Sequence, residues 1–158
     1  MNQPVVWIVL VTLVTVCVAL AGFLPGMLAA RRRQRLIDTR VSFHHRREWL
    51  EAKFFDLASS SGLPRGLRWT NCDFSDEVAF ARDRESRDLS AFVAVTISFE
   101  AIEGGDMEEV EAVNNLRAAT AVFRHDGKQW FTEGRVIMNL EPVEAIERFN
   151  QALELIAD

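Results

Sequence analysis

Hydrophobic and polar positions along the chain follow three different periods. Residues 5–30 read VVWIVLVTLVTVCVALAGFLPGMLAA, 26 residues that are apolar without any period and hold no Asp, Glu, Lys, Arg or His. About 20 apolar residues cross the hydrocarbon of a bilayer as a helix. The run therefore predicts a transmembrane helix with length left over for tilt. From residue 41 to 60 the period becomes helical and one-sided. Ser42 stands in a capping position, Phe43, Leu50, Phe54 and Leu57 share a face, and Trp49, Phe55 and Ala58 widen it. This amphipathic helix is expected to follow the apolar one after a short break. It should end at the run Ser59-Ser60-Ser61-Gly62-Leu63-Pro64-Arg65-Gly66.

The period then drops to two. Residues 67–74 and 77–82 predict short strands around a turn at Ser75-Asp76, and 83–88 (DRESRD) a charged loop. Residues 89–102 give the clearest strand. Leu89, Ala91, Val93, Val95, Ile97 and Phe99 alternate with small or polar residues, Phe92 being the one exception. Asp126-Gly127 predicts a two-residue hairpin turn. That turn pairs Phe123 with Trp130, Val122 with Phe131, Ala121 with Thr132 and Ala119 with Gly134. Ala119 facing Gly134 leaves a shallow spot where a helix or ligand can approach the backbone. Asn139 and Pro142 introduce a last helix with Val143, Ile146, Phe149, Ala152, Leu153 and Ile156 in one stripe.

The expected fold class is α+β: an N-terminal transmembrane helix, then an antiparallel sheet of about five strands packed with two helices on one face. The expected division is 1–30 anchor, 31–42 basic juxtamembrane linker and 43–158 cytoplasmic α+β domain. The order of elements over residues 43–157 resembles the cystatin-like and nuclear-transport-factor-2-like folds, in which a curved sheet wraps a helix. The wording GLRW (66–69), EGGDMEEVEAVNNLRAATAVF (103–123) and WFTEGRVIMNL (130–140) resembles an uncharacterised family of single-pass, membrane-anchored bacterial proteins. Neither resemblance implies a catalytic residue.

Charge adds an orientation. Residues 31–47 hold seven arginines against Asp38 alone, a balance of +6, whereas residues 48–158 hold 11 basic and 22 acidic side chains, a balance of −11. Arginines beside a span are kept on the cytoplasmic side, so the N-terminus is expected outside and the globular part in the cytoplasm. A cleaved signal peptide fits less well: the start Met-Asn-Gln-Pro lacks a basic residue, and Leu28 stands where a cleavage site wants a small one. Arg is used sixteen times and Lys twice, which points to a GC-rich bacterial genome; the expected location is the bacterial inner membrane. Arg31, Arg32, Arg33 and Arg35 suit lipid headgroups. The acidic body disfavours nucleic acid as a partner.

Chemistry-bearing constellations are sparse. Cys17 and Cys72 have no metal-site spacing and cannot pair across the membrane boundary. His44 and His45 lie among arginines, and His125 precedes the hairpin turn. No nucleophile–histidine arrangement and no phosphate-cradling loop occurs, so no catalytic residue, cofactor or metal is expected. Gly22, Gly26 and Ala30 at four-residue spacing offer a helix-packing face for another subunit or a second copy. In the loop 103–111, the carboxylates Glu103, Asp106, Glu108, Glu109 and Glu111 around Gly104-Gly105 read either as solvated surface or as a docking face for a basic partner. Their spacing matches no calcium loop.

Two functions from different classes follow. The first is a non-catalytic membrane-anchored protein whose cytoplasmic domain binds partner proteins, as an accessory or structural subunit of a membrane complex. The second is a ligand-binding module or enzyme with a pocket inside the sheet, lined by Trp69, Trp130 and Arg117 or Arg135.

Overall fold

The computed structural model describes residues 3–61, 66–108, 110 and 115–156; within the first helix, side chains are described from Trp7 onward except at residues 8, 9, 14, 16–22 and 24. The elements run α1 (Gln3–Ser60), β1 (Leu67–Asp83), β2 (Leu89–Ala101), β3 (Arg117–His125), β4 (Trp130–Phe131), β5 (Val136–Met138), α2 (Pro142–Arg148) and β6 (Leu153–Ile156). The chain divides into two compact units, Met1–His44 and His45–Asp158, so α1 contributes to both. The fold class is α+β with an antiparallel sheet. The sheet has six strands rather than about five, in the order β4-β3-β2-β1-β6 with β5 also on β3.

Strand β2 sits at the centre of the sheet, with one face buried along its length and the other buried around Phe92. Leu89, Ala91, Val93, Val95, Ile97 and Phe99 are all buried, as their alternation requires. On this face Phe54 of α1 meets Phe74 of β1 at 5.6 Å and Phe123 of β3 at 5.7 Å between ring centres. The second face carries its own core. Phe92, the exception in the alternation, packs with Ala81, Val122, Ala145 and Ile146. The two helices therefore cover opposite faces, not one face as expected, and Phe92 is apolar because α2 lies over it.

Four local expectations are corrected. No break separates the two predicted helices: Ser42 lies inside α1, its hydroxyl donating to the Thr39 carbonyl at 2.7 Å. Ser75-Asp76 is a bulge within the single 17-residue strand β1, where pairing with β2 shifts between Phe74 and Val78. Arg47 makes it a bulge by donating to the carbonyls of Asp76, at 3.1 Å, and of Ser75. The hairpin loop is longer than two residues. His125 pairs with Trp130 and Arg124 with Phe131, because the Asp126 carboxylate accepts from the Lys128 and Gln129 N–H groups at 2.9 and 2.8 Å and closes a wider loop. Finally, the last helix ends at Arg148 and the chain returns as β6. Arg84 donates from its backbone to the Ala152 carbonyl at 2.8 Å and from its guanidinium to the Asn150 carbonyl at 3.0 Å. It thus satisfies carbonyls of the turn that follows α2, and β6 pairs with the edge of β1 at residues 80–83.

The expected close approach is found at Gly134, although Ala119 pairs with Met138 instead. A Cβ on Gly134 would lie 2.7 Å from the Ala58 nitrogen and 2.8 Å from the Leu57 Cβ, and Gly134 has φ +71°. Helix and sheet backbones touch there because no side chain intervenes. Gly127, with φ +86°, faces open space. Gly134→Ala should therefore lose about 2–4 kcal/mol, combining left-handed strain with overpacking. Gly127→Ala, with strain alone, should lose about 1 kcal/mol. Urea unfolding of the full chain in detergent, followed by tryptophan fluorescence, checks the difference. Equal losses at both positions would contradict the close approach.

Candidate functional site

The residues expected to meet lipid headgroups and a second helix lie on α1. Arg31, Arg32, Arg33 and Arg35 are all exposed, as is Ala30. Gly26 has nothing within 4 Å of where a Cβ would stand, and Gly22 lies outside the described side chains. Large apolar side chains on this part of α1 are exposed too: Trp7 67%, Val11 59%, Leu13 60% and Phe23 67%. At 3.6 residues per turn, these four fall at about 0°, 40°, 240° and 160° around the axis, so no single side is apolar. Among the described residues no helix is long and apolar enough to cross a membrane. Residues 8, 9, 14, 16–22 and 24, nearly all apolar, stand outside that description.

The acidic loop is closed on itself. Gly104 donates its N–H to the Glu108 carboxylate at 2.9 Å, and Gly105 donates to the Ile102 carbonyl at 2.9 Å. A Cβ at Gly105 would meet that same carbonyl at 2.9 Å, which explains the glycine. Glu103, Asp106 and Glu108 are exposed; Glu109 and Glu111 lie outside the described residues. Among the described residues no group of three His, Cys, Asp or Glu side chains is placed to hold a metal ion.

The four residues proposed to share a pocket are not brought together. Trp69 stacks edge-on against Phe55 at 6.3 Å and Phe99 at 5.6 Å, and borders a shallow hollow of about 260 Å³ beside Gly134. Trp130 is 1% exposed, packed against Phe80 at 6.2 Å and His125 at 5.1 Å. Arg117 is exposed at the start of β3, opposite Ile97. Arg135 lies over the Phe149 ring at 5.8 Å and lines a hollow of about 280 Å³ on the α2 face.

A larger groove, of about 640 Å³, was not legible in the sequence. It opens beside β1, between residues 77–80, the start of α2, and Leu155 and Ile156. Its floor is apolar and two carboxylates, Glu77 and Glu141, stand on its rim. Nothing local marks it. It is assembled from β1, α2 and β6, three elements far apart in the sequence.

Perturbed titrations lie elsewhere. Burial, with the Asp73 and Glu51 carboxylates adding to it, pushes the Cys72 thiol up to about 12, so this sulfur is inert at neutral pH. His125 is held below its ordinary 6.5 by burial, against the opposing pull of Asp126 and Asp88. Its Nδ1 accepts the Gly127 N–H at 3.1 Å, a bond that needs the unprotonated ring nitrogen. The Asp126 carboxyl is held below 3.8 by the N–H groups of Gln129 and Lys128, and Asp83 by those of Ser86 and Glu85.

Comparison with known proteins gives no match: no protein family, no curated protein and no solved structure resembles the chain closely enough to count.

The His125 geometry sets a pH dependence. Above 6.5 the imidazole is neutral in both states. As pH falls through 6.5 the unfolded chain takes up the proton first, so folding stability declines toward the lower folded-state value. Asp83 and Asp126 act in a separate window, their stabilisation being lost as pH falls below 3.8. The urea midpoint of the wild type should drop between about pH 7 and about pH 5, the range in which histidines titrate. In His125→Gln it should stay flatter over the same range. Parallel curves would show that His125 takes its proton equally well folded and unfolded.

Proposed function

We propose that the chain is a single-pass protein of a bacterial inner membrane, anchored by residues 1–30 with its N-terminus outside. Its cytoplasmic domain binds partner proteins as a non-catalytic accessory subunit of a membrane complex. The observation that carries this reading is the exposure of apolar side chains on every side of the first part of α1. A helix that is apolar all round belongs inside a protein core or a bilayer. At about 1.5–3 kcal/mol for each large apolar side chain withdrawn from water, the seven exposed ones from Trp7 to Leu28 amount to more than about 10 kcal/mol. The uncharged run over residues 5–30 supplies the length.

The arginines act on orientation more than on attachment. Each contributes about 1 kcal/mol near an anionic surface, which is small beside the apolar term. The packing of Trp69 and Trp130 into the core rather than around one pocket favours a binding surface over a ligand pocket in the sheet. Gly26, which no described residue approaches, leaves a face for a neighbouring helix or a second copy.

An alkaline carbonate wash of native membranes should leave the wild type in the pellet. Replacing Arg31, Arg32, Arg33 and Arg35 together by Ala should leave it there too, while a fraction of molecules now exposes the domain on the outside to protease. Release of the wild type into the wash would contradict the anchor. Unchanged, uniform orientation of the fourfold variant would contradict the role given to the arginines.

A further inference from the structure

The hollow of about 280 Å³ on the α2 face is lined by described residues throughout. Its floor is apolar: Phe92 of β2 and Val122 of β3 are buried and Ile137 of β5 is half-buried. Phe149, in the turn after α2, and Leu153, at the start of β6, wall it. One small polar side chain stands in this floor. Ser90 is 8% exposed and lines the hollow, and among the described residues its hydroxyl has no hydrogen-bond partner. A hydroxyl withdrawn from water without a partner costs stability, and such a group calls for something bound that supplies the bond.

Charge is arranged across the sheet. Asp83 at the end of β1 and Asp88 just before β2 line one side of the hollow, and Arg124 of β3 and Arg135 just before β5 line the other. Among the described residues no ion pair closes between the two sides. The Asp83 carboxylate accepts from the Glu85 and Ser86 N–H groups at 2.9 and 2.8 Å, which commits it to its own turn. Arg124 lies over the Phe131 ring at 6.0 Å with Glu133 4.0 Å away, and Arg135 lies over Phe149 at 5.8 Å. Asp88 is then the carboxylate left for a ligand's cation. Ser90 stands opposite Arg124 in the sheet and two residues from Asp88, between the two signs.

A plain anion would meet Asp88 and a plain cation would meet the arginines, whereas a zwitterion satisfies both sides. At about 30 Å³ for each water-sized volume, the hollow holds about ten non-hydrogen atoms. We propose that it binds a free α-amino acid with an aliphatic side chain about the size of leucine. The carboxylate meets Arg124 and Arg135 and accepts from the Ser90 hydroxyl, the ammonium meets Asp88, and the side chain covers Phe92 and Val122. This site goes beyond the accessory-subunit reading and stands or falls without it, because it uses no residue of α1.

Equilibrium dialysis of the full chain in detergent against radiolabelled L-leucine tests the site. Binding should saturate at one leucine per chain. Leucinamide, which lacks the carboxylate, and 4-methylpentanoate, which lacks the ammonium, should each compete about tenfold less well or worse. Arg135→Gln and Asp88→Asn should each weaken leucine binding about tenfold or more, and Asp106→Asn, in the distant acidic loop, should preserve it. Ser90→Ala should weaken binding while leaving the ligand-free urea midpoint unchanged or raised, because it removes a hydroxyl that nothing in the free chain satisfies. Absence of saturable leucine binding would make water the occupant and overturn the proposal. Equal competition by either analogue, or unchanged binding in either charge variant, would overturn it too. A lowered ligand-free midpoint in Ser90→Ala would make the hydroxyl part of the packing, with the same consequence.

Discussion

The contact between the last turns of α1 and the backbone at Gly134 constrains much of the sheet around it. With Leu57 and Ala58 seated where a Cβ would otherwise stand, the helix lies close enough for Phe54 to sit between Phe74 and Phe123. Such aromatic pairs contribute about 0.5–1.5 kcal/mol beyond their buried area. The same approach accompanies the split of the returning hairpin strand into β4 and β5. Thr132 holds the interruption together, donating its hydroxyl to the Val122 carbonyl at 3.3 Å and accepting the Gly134 N–H at 3.1 Å. Past this point Val122 donates to the Arg135 carbonyl at 3.1 Å, and pairing resumes two residues out of the register it had at the turn.

Patterns that depend on one neighbour were legible in the sequence; those that depend on distant ones were not. The alternation of β2 declares itself because one uniform face is buried. Phe92 breaks the alternation for a reason visible only once Ala145 and Ile146 are placed above it. Asp126-Gly127 marks a turn correctly, but the loop length follows from two hydrogen bonds to the Asp126 side chain. Ser75-Asp76 has the composition of a turn and becomes a bulge under Arg47, nearly thirty residues earlier. The stripe from Val143 to Ile156 fits a helix, yet its second half, Leu153 to Ile156, fits a strand equally well. The free edge of β1 and the carbonyls taken by Arg84 decide in favour of the strand.

The candidate surfaces divide along the same line. Arginines and apolar residues on α1 can be read directly, because an exposed charge and an exposed valine need no partner within the chain. A pocket among Trp69, Trp130, Arg117 and Arg135 required the sheet's hollow to be empty. Instead the tryptophans became part of the packing beneath α1, and Arg135 went to the other face beside Phe149. The groove at the β1 edge joins residues from three separate elements and has no local signature.

In the proposed function one helix serves two environments, apolar on every side in its first half and on one side only in its last turns. Single nitroxide labels scanned along α1 of the full chain in nanodiscs, with collision by oxygen and by a water-soluble nickel complex read at each position, test it most directly. High oxygen and low nickel accessibility throughout residues 7–28, changing to an oscillation of about 3.6 residues over residues 45–60, is the predicted result. Nickel accessibility along the whole of residues 7–28 would contradict it.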